Sequence, residues 1–535
     1  MRVSLWVGIG IHGFIPLILA PYRSATIQDS AAVEVLDVLK EAERVANTIE
    51  GDYQRSQVLR CIASARGSAR DAKGALEIVR KISYEYERLL AYSDVARVQG
   101  QAGDLAAARE TVAEGLTACG EASSDFKNPN AYAHIVAALA SIGDAADAVK
   151  RLGHIRDRMD YVMVVKEIAL AYLRSDKLDK AAELLGTIDK RDLDYEIRET
   201  ATMAAKQVDP IRALRLAQKI EDDYMRGITT DTIAQELCGR GMIADAISAA
   251  QAINEPRAKA AALVSLASAL LEKDLDRARG LLGQAEGATP GISEPWAKMR
   301  TCAELADAWA KAGRLDTASR FAEASEKARL SIEDESYRDF ATPASAGAHA
   351  AAGKIAAAIQ IAESSKSSRG WALEAIALAQ IDAADNEGAL KTMELCSAPL
   401  HRARVLLEMS NHAKVREEAR RLRRAAYAAL EAEDTSPQYP SDYFDGDPRR
   451  VLLRSIMQAQ GRAGDIDDAL TTGEKIRKDM GDYTGGFILG HLATLQIDAG
   501  ALKDPLPWIR RIASPLAKSL VLTAAAEAGI RKHRR

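Results

Sequence analysis

The sequence predicts an all-α solenoid of about thirteen helix-turn-helix units. Three observations carry that prediction. A Gly-Asp or similar turn step returns along the chain, as in "QAGDLAAARETVAEGL" over residues 101–116. A small residue follows the step by five positions, at Ala42, Ala75, Ala108, Ala148, Ala181, Ala213, Ala246, Ala278, Ala318, Ala358, Ala389 and Ala469. Apolar and small residues then keep step with this marker at helical spacing. A pair of short helices cannot bury its apolar stripe alone, so a repeated pair implies a stacked array.

The first 30 residues, "MRVSLWVGIGIHGFIPLILAPYRSATIQDS", stand apart from the array. Arg2 gives a positive start, residues 3–20 are almost wholly apolar, and a polar stretch follows, which is the layout of a secretory signal. The expectation is an exported protein, periplasmic or extracellular. The leader, residues 1–25, is either cleaved or kept as a membrane anchor facing outward. Gly8, Gly10 and Gly13 spell GxGxxG, but inside a greasy leader they lack the strand, helix and acid that a dinucleotide site requires.

The array occupies residues 26–434 and resumes over 450–535. Four residues after the marker the chain is usually apolar or small, as at Val79, Val112, Leu152, Leu185 and Leu282. Seven after it stands Ile, at Ile49, Ile82, Ile155, Ile188, Ile220, Ile253 and Ile476. Spacings of four and seven share one helical face, which defines helix B. Twelve before the marker lies Ala, at Ala63, Ala96, Ala169, Ala201, Ala234, Ala306, Ala346 and Ala377, which belongs to helix A. Small residues at both places allow close approach of the two backbones. The Gly of the step ends helix A because it tolerates the left-handed conformation. Ala419 and Pro505 extend the register to thirteen or fourteen units.

The segments "QAGDLAAARETV", "KAGRLDTASRFA" and "RAGDIDDALTTG" resemble the turn and helix B start of the tetratricopeptide repeat. The resemblance covers about residues 33–530. Four departures stand out: no Trp near the start of helix A, Ile often in place of Ala at the +7 position, the closing Pro mostly absent, and units that reach 40 residues. It implies a right-handed superhelix, a concave face lined by helix A, and protein or peptide partners. The helix A position that the family turns inward lies 15 before the marker and reads Arg60, Ser93, Lys166, Arg198, Asp231, Leu263 and Arg454. Arg97 and Arg174 fall near the same face. Arg60, Arg97, Lys166, Arg174 and Arg198 therefore form a candidate basic groove for acidic or C-terminal peptide segments, since guanidinium forks pair carboxylates bidentately. The competing reading is solvated charges paired with neighbouring acids, which need no function.

Residues 435–449, within "EAEDTSPQYPSDYFDGDPRR", interrupt the array with a Pro-, Tyr- and Asp-rich loop, a place where long loops serve function or simply move. Asp442, Asp445 and Asp447 do not match an EF-hand. Tyr-x-Arg recurs at Tyr53/Arg55, Tyr86/Arg88 and Tyr224/Arg226, a spacing that suggests one unit wedged on the next. The C-terminus is a basic run, Arg531 to Arg535.

Chemistry is not indicated. The chain has no HExxH, GxSxG or P-loop, and His401 and His412, eleven apart, lack a third ligand. Five cysteines, Cys61, Cys119, Cys238, Cys302 and Cys396, show no CxxC or zinc spacing and read as small core residues. A formal charge of -4 over 535 residues does not favour nucleic acid. The expectation is a non-catalytic protein-interaction scaffold without cofactor or metal. The alternatives are an envelope-polymer enzyme or accessory using the 431–450 loop, and a membrane-anchored spacer.

Overall fold

The computed structural model describes residues 29–120, 128–431, 447–499 and 505–534. Every regular element among them is helical. The leader and residues 435–446 of the interrupting loop fall outside these residues. Among the described residues no helix is long and apolar enough to cross a membrane.

Helix A of successive units is α2 (Asp52–Ser68), α4 (Glu85–Gln101), α6 (Pro129–Ser141), α8 (Arg158–Arg174), α10 (Lys190–Gln207), α12 (Asp223–Gly239), α14 (Pro256–Leu270), α16 (Pro295–Lys311), the broken α18 (Glu335–Phe340) and α19 (Thr342–Ala351), α21 (Arg369–Asp382), α23 (Pro399–His412), α25 (Pro448–Ala463), α27 (Asp482–Ala499) and α29 (Pro515–Arg534). Helix B is α1 (Asp29–Ala46), α3 (Ala72–Lys81), α5 (Leu105–Ala118), α7 (Ala145–Arg151), α9 (Leu178–Leu185), α11 (Pro210–Ala217), α13 (Ile243–Gln251), α15 (Leu275–Ala288), α17 (Leu315–Leu330), α20 (Ile355–Glu363), α22 (Asn386–Glu394), α24 (Arg416–Glu431), α26 (Ile466–Met480) and α28 (Leu506–Ile509). The final repeats start at Pro448, two residues before the boundary read from the sequence.

The Gly-Asp step does two jobs in adjacent residues. Gly103, Gly143, Gly241, Gly313, Gly353 and Gly464 all take positive φ at the end of helix A. Where an acid follows the turn residue it can start helix B, although Met242, Arg314 and Lys354 stand there after Gly241, Gly313 and Gly353. Asp71, Asp104 and Asp385 each accept a hydrogen bond from the backbone N–H three residues on, at 3.0, 3.2 and 2.8 Å. The left-handed conformation belongs to the position rather than to glycine, because Arg70, Asp176 and Ala384 adopt it in the units that lack Gly. The marker alanines of helix B, apart from Ala419, and the Ala residues twelve before them are fully buried, so the helices of a pair meet almost backbone to backbone. A buried bond repeats across three pairs: Thr111 to Gln99, Thr392 to Gln380 and Thr472 to Gln460, each from hydroxyl to amide oxygen at 2.7–2.9 Å. In the last unit Trp508 Nε1 takes the place of the hydroxyl and donates to Gln496 Oε1 at 3.0 Å.

The Tyr-x-Arg motif is structural. Arg55, Arg88 and Arg226 each donate to the carbonyl of the Ile that closes the preceding helix B, Ile49, Ile82 and Ile220. The tyrosines reach the next helix A: Tyr86 donates to Asn130 at 2.7 Å, and Arg257 lies over the Tyr224 ring at 4.8 Å.

The array closes. Each helix A packs on the next, from α2 through α27 to α29, and α29 packs in turn on α2. A layer in which every member has two such neighbours has no ends. The closing unit has α29 as helix A and α1 as helix B, so thirteen pairs consecutive in sequence are completed by a fourteenth made from the two ends of the chain. Val35, Leu39, Ala42 and Ala46 of α1 share one buried cluster with Ala517, Leu520 and Val521 of α29 and with Val58 and Ile62 of α2. Ser519 Oγ donates to the Ala42 carbonyl at 2.8 Å, and Arg510 donates twice to Glu41, at 3.2 and 3.0 Å. Helix A forms the inner layer, because its members touch side by side while helices B splay apart.

Two outcomes test this architecture. Ala384→Gly relieves a left-handed alanine and raises stability by about 1 kcal/mol in denaturant titration. Leu39→Asp puts a charge into the closing unit; the ring opens, and small-angle scattering records a larger radius of gyration with the helical content of the other units retained.

Candidate binding surface

The inner wall is built from the faces of helix A turned away from helix B. The five basic residues singled out in the sequence all lie on this layer but separate into two kinds. Arg60 on α2 is neutralised within the wall: its Nε donates to Asp94 at 2.6 Å and its Nη1 to Glu87 at 3.1 Å, both on α4. Lys166 on α8 pairs with Glu196 on α10 at 3.0 Å. For these two the plainer reading, charges paired with neighbouring acids, holds.

Arg97, Arg174 and Arg198 differ. Among the described residues none of them has an ion pair within 4.0 Å. Arg97, near the end of α4, keeps a buried Nε without a hydrogen-bond partner. Arg174 ends α8, beyond the intervening α6. The protein mass around it lowers its pKa from the usual guanidinium value; Glu167 opposes that shift and the nearby Arg97 adds to it. Its side chain is solvent-exposed, so the crowding comes from the concavity of the wall rather than from burial in the core. Two cations thus act on each other, and among the described residues neither forms an ion pair within 4.0 Å.

Further round the wall the sign changes. Asp231 on α12 is pushed up to about 6, chiefly by burial, against a hydrogen bond from Gln235 and with help from Glu304 on α16. Glu527 on α29 is raised to about 7 by burial, with Arg531 opposing. Cations also lie on later units, since Arg462, Arg454 and Arg531 act together to lower the pKa of His491 on α27, after burial as the main cause.

A second cluster, which the sequence did not suggest, lies on α21 and α23. His401 Nδ1 is 2.6 Å from Glu374 Oε2, and Arg404 donates to Glu374 Oε1 at 3.2 Å. The Arg404 guanidinium lies 5.0 Å from the centre of the Trp371 ring, and His401 meets the same ring edge-on at 4.6 Å. Glu374 and Arg404 occupy the same repeat position as Arg60, and alignment by unit was the one signal that could have found them. His412 goes elsewhere, to Glu408 at 3.3 Å. Among the described residues no group of His, Cys, Asp and Glu could hold a metal ion.

No family model and no curated protein matches the chain. Solved structures that are similar to it include Ton1535 from Thermococcus onnurineus NA1, at 17% identity over 62% of this chain and 98% of that one, with a TM-score of 0.27. A circular tandem repeat protein with novel repeat topology aligns over 94% and 98% at 11% identity and a TM-score of 0.15. A structure of Naa15/Naa10 bound to HypK-THB aligns over 88% of each chain at 15% identity and a TM-score of 0.18. The helical-repeat class itself is read from the helices described above.

The two raised carboxyls set a pH dependence. A carboxyl whose folded pKa exceeds its unfolded value binds its proton more tightly when folded, so stability is greatest below the unfolded value and falls as pH rises through the folded one. For Glu527 that fall runs from about 4.5 to about 7. Thermal melts should show a lower midpoint at pH 8 than at pH 5, and Glu527→Gln should reduce the difference.

Proposed function

We propose that this chain is a non-catalytic protein-interaction scaffold of tetratricopeptide-like type, exported by its leader. Its inner wall takes acidic or C-terminal segments of a protein partner. The observation that carries this reading is the Arg97–Arg174 approach, two guanidinium groups on one concave wall with no ion pair among the described residues. A carboxylate between them would relieve their mutual repulsion. Arg198 extends the same basic stretch on α10. Arg60 and Lys166 shape the wall through their ion pairs and do not face the guest.

The test is binding of a labelled acidic peptide with a free C-terminal carboxylate, followed by fluorescence anisotropy with the full-length chain. Arg97→Glu together with Arg174→Glu should weaken binding at least about tenfold, since loss of a charge-assisted bond costs about 1.5–3 kcal/mol. Arg60→Gln should leave it nearly unchanged. Equal binding by the original and the double variant would overturn the reading.

A further inference from the structure

The outer layer of helices B has one short member. α28 is a single turn of four residues, where every other helix B among the described residues has seven or more. Beside it a groove of about 960 Å³ runs along α26. Ile466, Leu470, Glu474 and Arg477 line one side. Their spacings of four and three put them on one face of α26, over about 16 Å of helix. Trp508 of α28 and Ile512 line the other side. Ile466 and Leu470 are only half-buried, so the floor of the groove is apolar and open to solvent.

Elsewhere in the layer, neighbouring helices B are joined by ion pairs. Lys81 on α3 meets Glu43 on α1 at 2.9 Å, and Arg80 on α3 meets Glu114 on α5 at 2.6 Å. Lys354 at the start of α20 meets Glu323 on α17 at 2.6 Å, and Arg424 on α24 meets Asp468 on α26 at 2.9 Å. On its far side α28 is joined in the same way, through Arg510 next to it and Glu41 on α1 at 3.0 Å. Between α26 and α28 the belt is broken. Arg477 is taken by Glu474 on its own helix and by Asp482 on α27. Arg462, Arg511 and Arg416 are exposed at the groove, and among the described residues none of them forms an ion pair within 4.0 Å. Arg416 donates only to the Ala463 carbonyl, at 3.1 Å. Against these three cations stands a single exposed lining acid, Asp467.

We infer that this groove docks one amphipathic, acidic helix of a partner protein, laid along α26 as an added outer helix. Its apolar stripe covers Ile466, Leu470 and Trp508, and its carboxylates face Arg462 and Arg511. The position in the layer argues for a helix, because on either side the same row is filled by helices. The chemistry of the walls agrees. They offer apolar side chains and guanidinium groups but no strand edge, so an extended segment would leave its own N–H and C=O groups unpaired there. A helix pairs them internally. The sign of the partner follows from the broken belt, which has spare cations and lacks the acids found at every joined pair. This site lies on the outer layer and is independent of the anionic guest proposed for the inner wall.

The probe is a fluorescein-labelled peptide of residues 104–118, DLAAARETVAEGLTA, a helix B of this same layer that carries Glu110 and Glu114. Fluorescence anisotropy with the full-length chain should show saturable binding. Arg462→Glu with Arg511→Glu changes only exposed side chains outside any ion pair, and should weaken binding at least about fivefold. Leu470→Asp should weaken it at least about tenfold. The peptide with Glu110→Lys and Glu114→Lys should lose binding to the same extent as the arginine variant. Arg97→Glu with Arg174→Glu should leave binding unchanged, which separates this groove from the inner wall. No saturable binding, or equal binding by the Arg462 and Arg511 variant, overturns the inference. A concentration-dependent dimer in sedimentation that Arg462→Glu with Arg511→Glu dissolves would assign the groove to a second copy of the chain and overturn it as well.

Discussion

Everything in this molecule depends on the close contact between helix A and helix B of each pair. The marker Ala of helix B is fully buried in most units, and the residue twelve before it on helix A is a fully buried Ala in eight of them, with Val136, Leu266, Leu407 and Met457 filling that place in others. Close packing at this point sets how near helix B lies to helix A, and the apolar residues four and seven on, such as Val79 and Ile82, then land against the neighbouring unit. No unit completes its own core. Each is stable only because the next one covers it, and at the ends of an open array that cover would be missing. The chain meets this by folding α29 and α1 into one further unit, so that Leu39, Leu520 and Ile62 bury each other as their counterparts do elsewhere.

Much of this was legible in the sequence because it is local. The Gly-Asp step combines a left-handed helix end with an N-cap, and both are conditions on one or two residues. The helical faces follow from spacing. Two units show where this stops: Arg70 and Ala384 hold the same left-handed conformation without glycine, since the packed helices on either side fix the turn whatever residue fills it. The wall charges were readable only in part. Arg60 finds Asp94 at 34 residues' distance and Glu87 at 27, one repeat further along, so its pairing shows only when units are laid side by side. The Glu374–His401 contact, 27 residues apart, was hidden in the same way. Ring closure was not readable at all. It joins residues 477 positions apart, Ser519 to Ala42, and nothing in the local pattern of either helix marks its partner.

Closure changes what the inner wall can do. An open solenoid behaves as a spring, and its curvature adjusts to relieve charge repulsion across the concave face. In a ring the units hold each other at fixed angles, so Arg97 and Arg174 cannot separate without straining the rest of the circuit. On the proposed reading, a guest that neutralises both arginines would relieve that repulsion on binding. The same rigidity holds His401 in one orientation between Glu374 and Trp371. If the seam between α1 and α29 opens, both effects should weaken together, although neither site lies at the seam. The arrangement of the inner wall is in that sense linked to one helix pair, α1 with α29, whose members are not consecutive in the chain.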